Sequence, residues 1–246
     1  MRRIALIGLL VVAGCGSANR ERVEHGPPVE PTPRFTRATE RPAAAPRPNG
    51  RYLTAQIERR ALLRKRPRGR ILHILTRRTE FGSPQVLSVL RRRDGWLQVV
   101  SAQMPNHRPA WIPERRASLR GTDFDIVVDR SERKATLRRD GRALRSFPVA
   151  VGRPGNETPL GRFAVTDKLK PTDPTSPYGC CAIALSGHQT LLEPGWPGGD
   201  RLAIHGTPQP ETIGKPISLG CLRAPEAALK ALLRRVPLGA PVFIRA

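Results

Sequence analysis

The chain has 246 residues, enough for one large domain or two small ones, and its 39% hydrophobic content excludes a fully disordered protein. The one long apolar run lies at the N-terminus, which excludes a polytopic membrane protein, and four cysteines exclude a disulfide-dense scaffold. The net charge is +23, with 25 Lys and Arg against eight Asp and Glu in residues 1–121. Nucleic acid, an anionic envelope surface and a merely arginine-rich composition each explain this excess. Since no nucleic-acid motif accompanies it, we expect no nucleic-acid partner.

The first fifteen residues have the features of an export signal. Arg2 and Arg3 precede the apolar stretch Ile4–Ala13, which is shorter than the roughly 20 residues of a stable transmembrane helix. The sequence Val12–Cys15 resembles a lipobox, the cleavage site of bacterial lipoproteins, which implies a lipid on Cys15. An ordinary secretory signal is the alternative. Both predict an extracytoplasmic protein, and the lipobox predicts a membrane anchor that faces the cell wall.

Residues 16–50 have the composition of a tether. Seven prolines fall between Pro27 and Pro48, and the segment shows no apolar periodicity. Such a chain buries too little apolar surface to offset the entropy lost on ordering, and proline favours an extended conformation. We predict a disordered spacer between the membrane and the folded domains.

Residues 52–119 have the pattern of a small β-barrel. Short apolar pieces alternate with turn signals such as Asp94-Gly95. The pieces ALLRKRPRGRIL, VLSVLRRRDGWLQVV and RPAWIP resemble bacterial Src-homology-3-like domains, which implies a wall-facing accessory module. We interpret Trp96 and Trp111 as packing residues of the barrel. Strands are predicted at Ala61–Leu63, Ile71–Leu75, Gln85–Leu90, Trp96–Val100 and Ala110–Ile112.

Residues 122–246 form the second predicted domain, a β-sandwich with one clear helix, so the fold class is mainly β. Asp140-Gly141 between two apolar runs is a strong hairpin signal, and Pro225–Arg235 has helical spacing. Strands are predicted at Phe124–Asp129, Ala135–Arg139, Ala143–Val151, Gly161–Asp167, Ala182–Ser186, Leu202–His205 and Val242–Ile244.

A cysteine and a histidine near the C-terminus are the candidate catalytic residues. Cys221 lies 16 residues after His205, which ends a predicted buried strand. The neighbouring Gly220 lets backbone N–H groups approach a reacting carbonyl. A free thiol is only a few per cent thiolate at pH 7, so an adjacent imidazole is what makes it a nucleophile. The spacing alone fits a buried structural cysteine equally well.

The full string AIHGTPQPETIGKPISLGCLR resembles the signature of the L,D-transpeptidase catalytic domain, the YkuD family. That signature is H-G-T, a loop often containing I-G, and then S/T-H-G-C-I/V/L-R/N. Upstream, VAVG and TPLGRF resemble two further family motifs in the family order. The resemblance covers residues 123–246 and implies a YkuD-type β-sandwich.

The resemblance also implies the role of each site residue. Cys221 is the nucleophile, His205 its general base, and the Gly206 carbonyl orients the His205 ring. Leu219 replaces the second histidine of the family signature, which leaves the base, His205, in place. Arg223 either meets substrate or locks the loop, and we favour locking. The supporting and oxyanion loop is assigned to Gly206, Ser218, Gly220 and Arg223, and a substrate groove to Tyr178, His188 and Trp196.

The implied reaction is acyl transfer between peptidoglycan stem peptides, with no metal or organic cofactor. Cys221 releases D-alanine from one stem, and the side-chain amine of a second stem then forms a 3→3 cross-link. Water as acceptor would make the protein an L,D-carboxypeptidase, and carbapenems are the implied acylating inhibitors. A catalytically silent wall-binding lipoprotein is the alternative. A papain-like peptidase is disfavoured because its cysteine precedes its histidine.

Cys180 and Cys181 are adjacent and can bridge only as a vicinal disulfide. We interpret them as two reduced, buried thiols. A zinc site that combines these cysteines with the nearby histidines and Cys221 is possible by ligand type, but no C-x₂-C or H-x₃-H spacing supports it.

Overall fold

Two β-sheets, one in each predicted folded segment, make up most of the structure. The computed structural model describes residues 35–37, 51–192 and 199–246. The predicted signal segment with Cys15, the predicted tether except residues 35–37, and Trp196 lie outside the described residues. The mainly β class is confirmed, with a single α-helix within the described ranges.

Three residues of the predicted tether depart from the expected disorder. Phe35–Arg37 forms strand β1, which pairs antiparallel with residues 169–171 of the second domain. The Thr36 hydroxyl donates to the Lys170 carbonyl at 3.1 Å. An aromatic and a β-branched residue suit a strand, and the end of a longer strand offers unpaired peptide groups. The prediction is wrong for this segment because apolar periodicity cannot be detected over three residues.

The first module (residues 52–122) is a seven-stranded antiparallel sheet. Asp94 and Gly95 both have positive φ, 48° and 74°, so the predicted Asp-Gly turn closes a hairpin. Leu63, Leu97 and Ile112 are fully buried in its core. Its strands are β2 Tyr52–Ile57, β3 Ala61–Arg64, β4 Ile71–Leu75, β5 Val86–Arg93, β6 Trp96–Val100, β7 Ala110–Pro113 and β8 Ala117–Thr122. They follow the order β4-β3-β7-β6-β5-β2-β8.

The second domain (residues 123–246) is built on one curled sheet. Its strands are β9 Phe124–Asp129, β10 Lys134–Arg139, β11 Arg142–Pro148, β12 Val151–Gly152, β13 Gly161–Pro171, β14 Ala182–His188, β15 Arg201–His205, β16 Pro216–Ser218, β17 Leu222–Arg223 and β18 Pro241–Arg245. The sheet order is β11-β10-β9-β18-β13-β14-β15-β17, β1 is its ninth strand, and β12 pairs separately with β16.

One helix and one tight turn complete the second domain. Helix α1, Glu226–Arg235, buries Ala228, Leu229 and Leu232 against the sheet, as its 3.6-residue spacing predicts. Asp140 and Gly141 have φ of 53° and 78° and form the predicted hairpin turn between β10 and β11. No helix in the described part of the chain is long and apolar enough to cross a membrane.

The two sheets contact each other through polar side chains. These contacts cross from the first module to the strands of the second domain, so the two units are joined by more than the chain itself. The hydrogen bonds run from Tyr52 Oη to Asp125 Oδ2 at 2.8 Å, from Thr79 Oγ1 to Asp167 Oδ1 at 2.5 Å, and from Arg162 Nη2 to Ser88 Oγ at 3.1 Å.

Candidate functional site

Two neighbouring parallel strands bring His205 and Cys221 together. In the β15–β17 pair, Ile204 lies opposite Leu222 and His205 opposite Arg223. Because side chains alternate between the two faces of a sheet, the fully buried Ile204 and Leu222 lie on one face and His205 and Arg223 on the other, and Cys221 directly precedes β17. A spacing of 16 residues in the chain is thus converted into neighbouring positions on a rigid sheet.

The His205 ring is held in one tautomer. Its Nδ1 lies 2.6 Å from the Gly206 carbonyl oxygen, which only accepts hydrogen bonds, so Nδ1 carries the proton. The lone pair of the neutral ring is therefore on Nε2. The Tyr178 ring meets His205 edge-on, with centroids 4.9 Å apart. Burial, reinforced by the charge of Arg223, lowers the pKa of His205 to about 4.

Cys221 is a partly buried free thiol. Its Sγ donates to the Arg201 carbonyl at 3.7 Å, and burial raises its pKa to about 11. Burial together with the nearby Cys221 raises the pKa of Tyr178 to about 12. At neutral pH the resting pair is therefore a neutral thiol beside a neutral imidazole. Such a pair suits proton transfer during attack rather than a preformed thiolate.

Buried hydroxyl groups brace the nucleophile loop, residues 218–223. Ser218 Oγ donates to the Cys221 carbonyl at 2.5 Å and accepts from the Gly220 N–H at 3.1 Å. Thr158 Oγ1 donates to the Gly220 carbonyl at 2.8 Å and accepts from the Gly152 N–H at 2.9 Å. Gly220 has a φ of +120°, which side-chain-bearing residues rarely adopt.

Arg223 contacts the segment that follows the H-G-T motif. Its Nη1 lies 3.3 Å from Thr212 Oγ1 and 3.4 Å from Gln209 Oε1. Both contacts are within the protein. Leu219, which belongs to the nucleophile loop, is half-buried.

The three residues assigned to a substrate groove have different positions. Tyr178 lies against His205, at the site. His188 lies at the contact with the first module, where its Nδ1 is 2.9 Å from Asp200 Oδ2 and its Nε2 is 2.8 Å from the Ala102 carbonyl. Both ring nitrogens are therefore occupied within the protein. Trp196 lies outside the described residues.

Cys180 and Cys181 form a vicinal disulfide, so the interpretation of two reduced thiols is wrong. The pair lies beside His205, because the N–H of the next residue, Gly206, donates to the Cys181 carbonyl at 3.0 Å. No sequence signal indicates the redox state of this pair. Among the described residues, no three His, Cys, Asp or Glu side chains are grouped as metal ligands.

Sequence reasoning missed two residues of the site. Thr158 belongs to the TPLGRF motif, and this motif was the available signal for its contact with the nucleophile loop. Arg201 begins β15, and its carbonyl accepts a hydrogen bond from the Cys221 thiol. No sequence signal identifies it, because the contact depends on the main chain and on pairing between distant segments.

The second domain is similar to one protein family and to several curated relatives. Residues 123–244 match the family model of the L,D-transpeptidase catalytic domain, YkuD. The Bacillus subtilis (strain 168) protein named L,D-transpeptidase YkuD is 30% identical over 121 residues, 49% of this chain. The match spans 65% of that relative's length. The B. subtilis protein named L,D-transpeptidase YqjB is 29% identical over 146 residues, 55% of this chain and 78% of the relative.

Two mycobacterial proteins are among the solved structures to which this chain is similar. An L,D-transpeptidase from Mycobacterium smegmatis has a TM-score of 0.40 and 22% identity, over 58% of this chain and 76% of the other. L,D-transpeptidase 3 of Mycobacterium tuberculosis, solved with a faropenem-derived adduct, has a TM-score of 0.42 and 19% identity. That comparison covers 56% of this chain and 73% of the other.

Proposed function

We propose that residues 123–244, which match the family model of the L,D-transpeptidase catalytic domain, act as such a domain, and that the protein forms 3→3 cross-links between peptidoglycan stem peptides. The observation that supports this most directly is the pairing of β15 with β17. It brings the segment that carries the free Cys221 thiol alongside the strand that ends at the oriented His205 imidazole, the two groups that covalent acyl transfer requires.

In the first half-reaction, the Cys221 Sγ attacks the carbonyl carbon that joins the third stem residue to the terminal D-alanine. His205 Nε2 takes the thiol proton and delivers it to the leaving amine of D-alanine, and a thioester remains on Cys221. Backbone N–H groups beside Cys221 stabilise the oxyanion. The braces from Ser218 and Thr158 hold this backbone in place before substrate arrives.

In the second half-reaction, the side-chain amine of another stem's third residue attacks the thioester carbonyl. A new amide bond forms, the C–S bond breaks, and the amine proton passes through His205 back to the sulfur. Leu219 stands where the family signature has a second histidine. It cannot exchange a proton, so both half-reactions depend on His205.

Purified disaccharide-tetrapeptide tests this function directly. Protein lacking residues 1–34, which keeps β1, and its Cys221→Ala variant are incubated with it, and products are identified by mass spectrometry. Loss of D-alanine with a cross-linked dimer, absent from the variant, is the expected result. Tripeptide without dimer would instead indicate an L,D-carboxypeptidase. No product from folded protein would overturn the proposal in favour of a silent wall-binding lipoprotein.

Acylation by a carbapenem follows from the same chemistry. The strained β-lactam carbonyl is attacked by Cys221, and intact mass would increase by one inhibitor molecule in the wild type but not in Cys221→Ala. The anchored, wall-facing location rests on the lipobox at Cys15, and the accessory role of the first module rests on its resemblance to Src-homology-3-like domains.

A further inference from the structure

Strands β14 and β15 contact the first module at His188 and Arg201, the two residues that flank the segment 189–200. His188 and Arg201 are cross-strand partners at its base, and the Gln189 N–H donates to the Asp200 carbonyl at 2.6 Å. Both His188 and Arg201 extend their side chains to the first module. The strand that carries His205 therefore starts at a contact between the two units.

Arg201 joins the two units through its guanidinium group. Within the second domain, its Nε and Nη2 donate to the Leu185 carbonyl at 3.1 and 2.8 Å, and Nη2 also donates to Thr166 Oγ1 at 2.8 Å. From the first module, Glu80 forms an ion pair with Nη1, and the Phe81 ring centroid lies 5.9 Å from the guanidinium carbon. The Arg201 side chain is only 12% exposed, so its charge depends on Glu80 for compensation.

The main chain of the same residue contacts the nucleophile. The Arg201 carbonyl is the acceptor for the Cys221 thiol, at 3.7 Å. The side chain of Arg201 thus lies against the first module while its carbonyl faces the reacting sulfur. Any displacement at the start of β15 moves the acceptor that orients this thiol.

His188 provides a second attachment of the same strand pair. The Asn106 side chain of the first module accepts from the His188 N–H at 2.9 Å and donates to the His188 carbonyl at 2.7 Å. The His188 ring also reaches the Ala102 carbonyl of the first module at 2.8 Å. The end of β14 and the start of β15 are therefore both attached to the first module.

We propose that Arg201 is a positioning residue for Cys221 and that the Glu80–Phe81 turn of the first module is the part that fixes it. This inference rests on the proposed function. It gives the first module a task in catalysis beside any binding to the wall. Loss of the Glu80 carboxylate leaves a poorly solvated guanidinium without its counter-charge, which favours rotation of Arg201 into water and loosens the start of β15.

The expected signature separates positioning from substrate binding. The contacts of Glu80 lie away from the nucleophile loop, so kcat should fall while KM stays unchanged. A misplaced nucleophile typically lowers the rate by one to two orders of magnitude, so we expect a loss of about tenfold or more. Water reaching a loosened Cys221 would also lower the pKa of the thiol from about 11 toward the ordinary value.

The test uses the full chain with Glu80→Gln, Glu80→Asp and a matched control. Glu114→Gln is the control because Glu114 pairs with Arg92 wholly within the first module, at 2.6 and 2.9 Å. For each protein, kcat and KM are measured with disaccharide-tetrapeptide, and the rate of Cys221 alkylation by iodoacetamide is followed from pH 6 to 11. Circular dichroism and urea unfolding show that each variant is folded under these conditions.

Glu80→Gln should lower kcat and shift the alkylation profile to lower pH, Glu80→Asp should restore part of both, and Glu114→Gln should change neither. Wild-type kcat and profile in folded Glu80→Gln would overturn the inference, as would equal losses in Glu80→Gln and Glu114→Gln. If the wild type fails to convert the tetrapeptide, the proposed function fails, and the alkylation profiles still decide whether Glu80 positions Cys221.

Discussion

The first module and the second domain use polar side chains in opposite ways. Residues 52–122 carry 16 Lys and Arg against four Asp and Glu, and most of these charges are exposed to water. In the second domain, the groups around the nucleophile are buried, and burial determines their protonation. The charge composition of the chain therefore describes mainly the exposed surface. The chemistry at the site depends instead on a few buried polar groups.

The largest test of this contrast is His205→Gln. If the buried imidazole is the general base, its loss should lower kcat by about 10²- to 10⁴-fold with the substrate proposed above. Turnover and carbapenem acylation rates provide the measurement. Leu219→His serves as the companion variant, because it restores the histidine of the family signature at the wrong place for the base. Recovery of His205→Gln by added Leu219→His would show that the base can sit on the nucleophile loop.

The second test is the pH dependence of stability. The pKa of His205 falls from an ordinary value of 6.5 to about 4 on folding, so the unfolded chain binds more protons between these values. Its contribution is fully present above pH 6.5 and is lost as the pH falls toward 4, by about 3 kcal/mol in total. Urea unfolding at pH 7.0, 5.5 and 4.0 measures this slope, and His205→Gln should lack it.

Salt concentration sharpens the same experiment. Exposed charges of the first module are screened by salt, whereas a slope caused by burial should persist at high ionic strength. If the difference in pH dependence between wild type and His205→Gln disappears at high salt, surface charges cause it. That result would contradict the contrast between the two units.

The smallest predicted effect concerns one buried hydroxyl. Thr158 is fully buried, and Thr158→Val leaves the Gly220 carbonyl and the Gly152 N–H without their partner. The expected cost in the free energy of unfolding is about 1–3 kcal/mol, measured by urea titration. Thr158→Ser keeps the hydroxyl and is the control. Equal stability of Thr158→Val and wild type would mean that the hydrogen bonds of Thr158 do not stabilise the fold.

Local sequence signals predicted the regular part of the fold. The Asp-Gly turns at 94–95 and 140–141 have positive φ at both residues, and these two signals correctly predicted two hairpins. The helix over 226–235 followed from its apolar spacing. In contrast, β16 and β17 contain three and two residues, too few for any periodicity, and their partners lie far away in the chain.

The part of the site that belongs to recognisable motifs could be predicted from the sequence. His205 and Cys221 were identified from their motifs, and the pairing of β15 with β17 brings their segments side by side. Thr158 and Arg201 were missed because their roles depend on contacts with the main chain of distant segments, which no local pattern records. The state of Cys180 and Cys181 was predicted wrongly, since adjacency alone does not decide between two thiols and a disulfide.

The position of β18 has a consequence for how the protein is made. This strand, residues 241–245, lies inside the nine-stranded sheet between β9 and β13, so it joins the beginning of the domain to its middle. The sheet cannot close until residues 241–245 are available to pair, and such non-local pairing folds slowly. His205 and Cys221 therefore lie on a finished sheet only after the two ends of the domain have met.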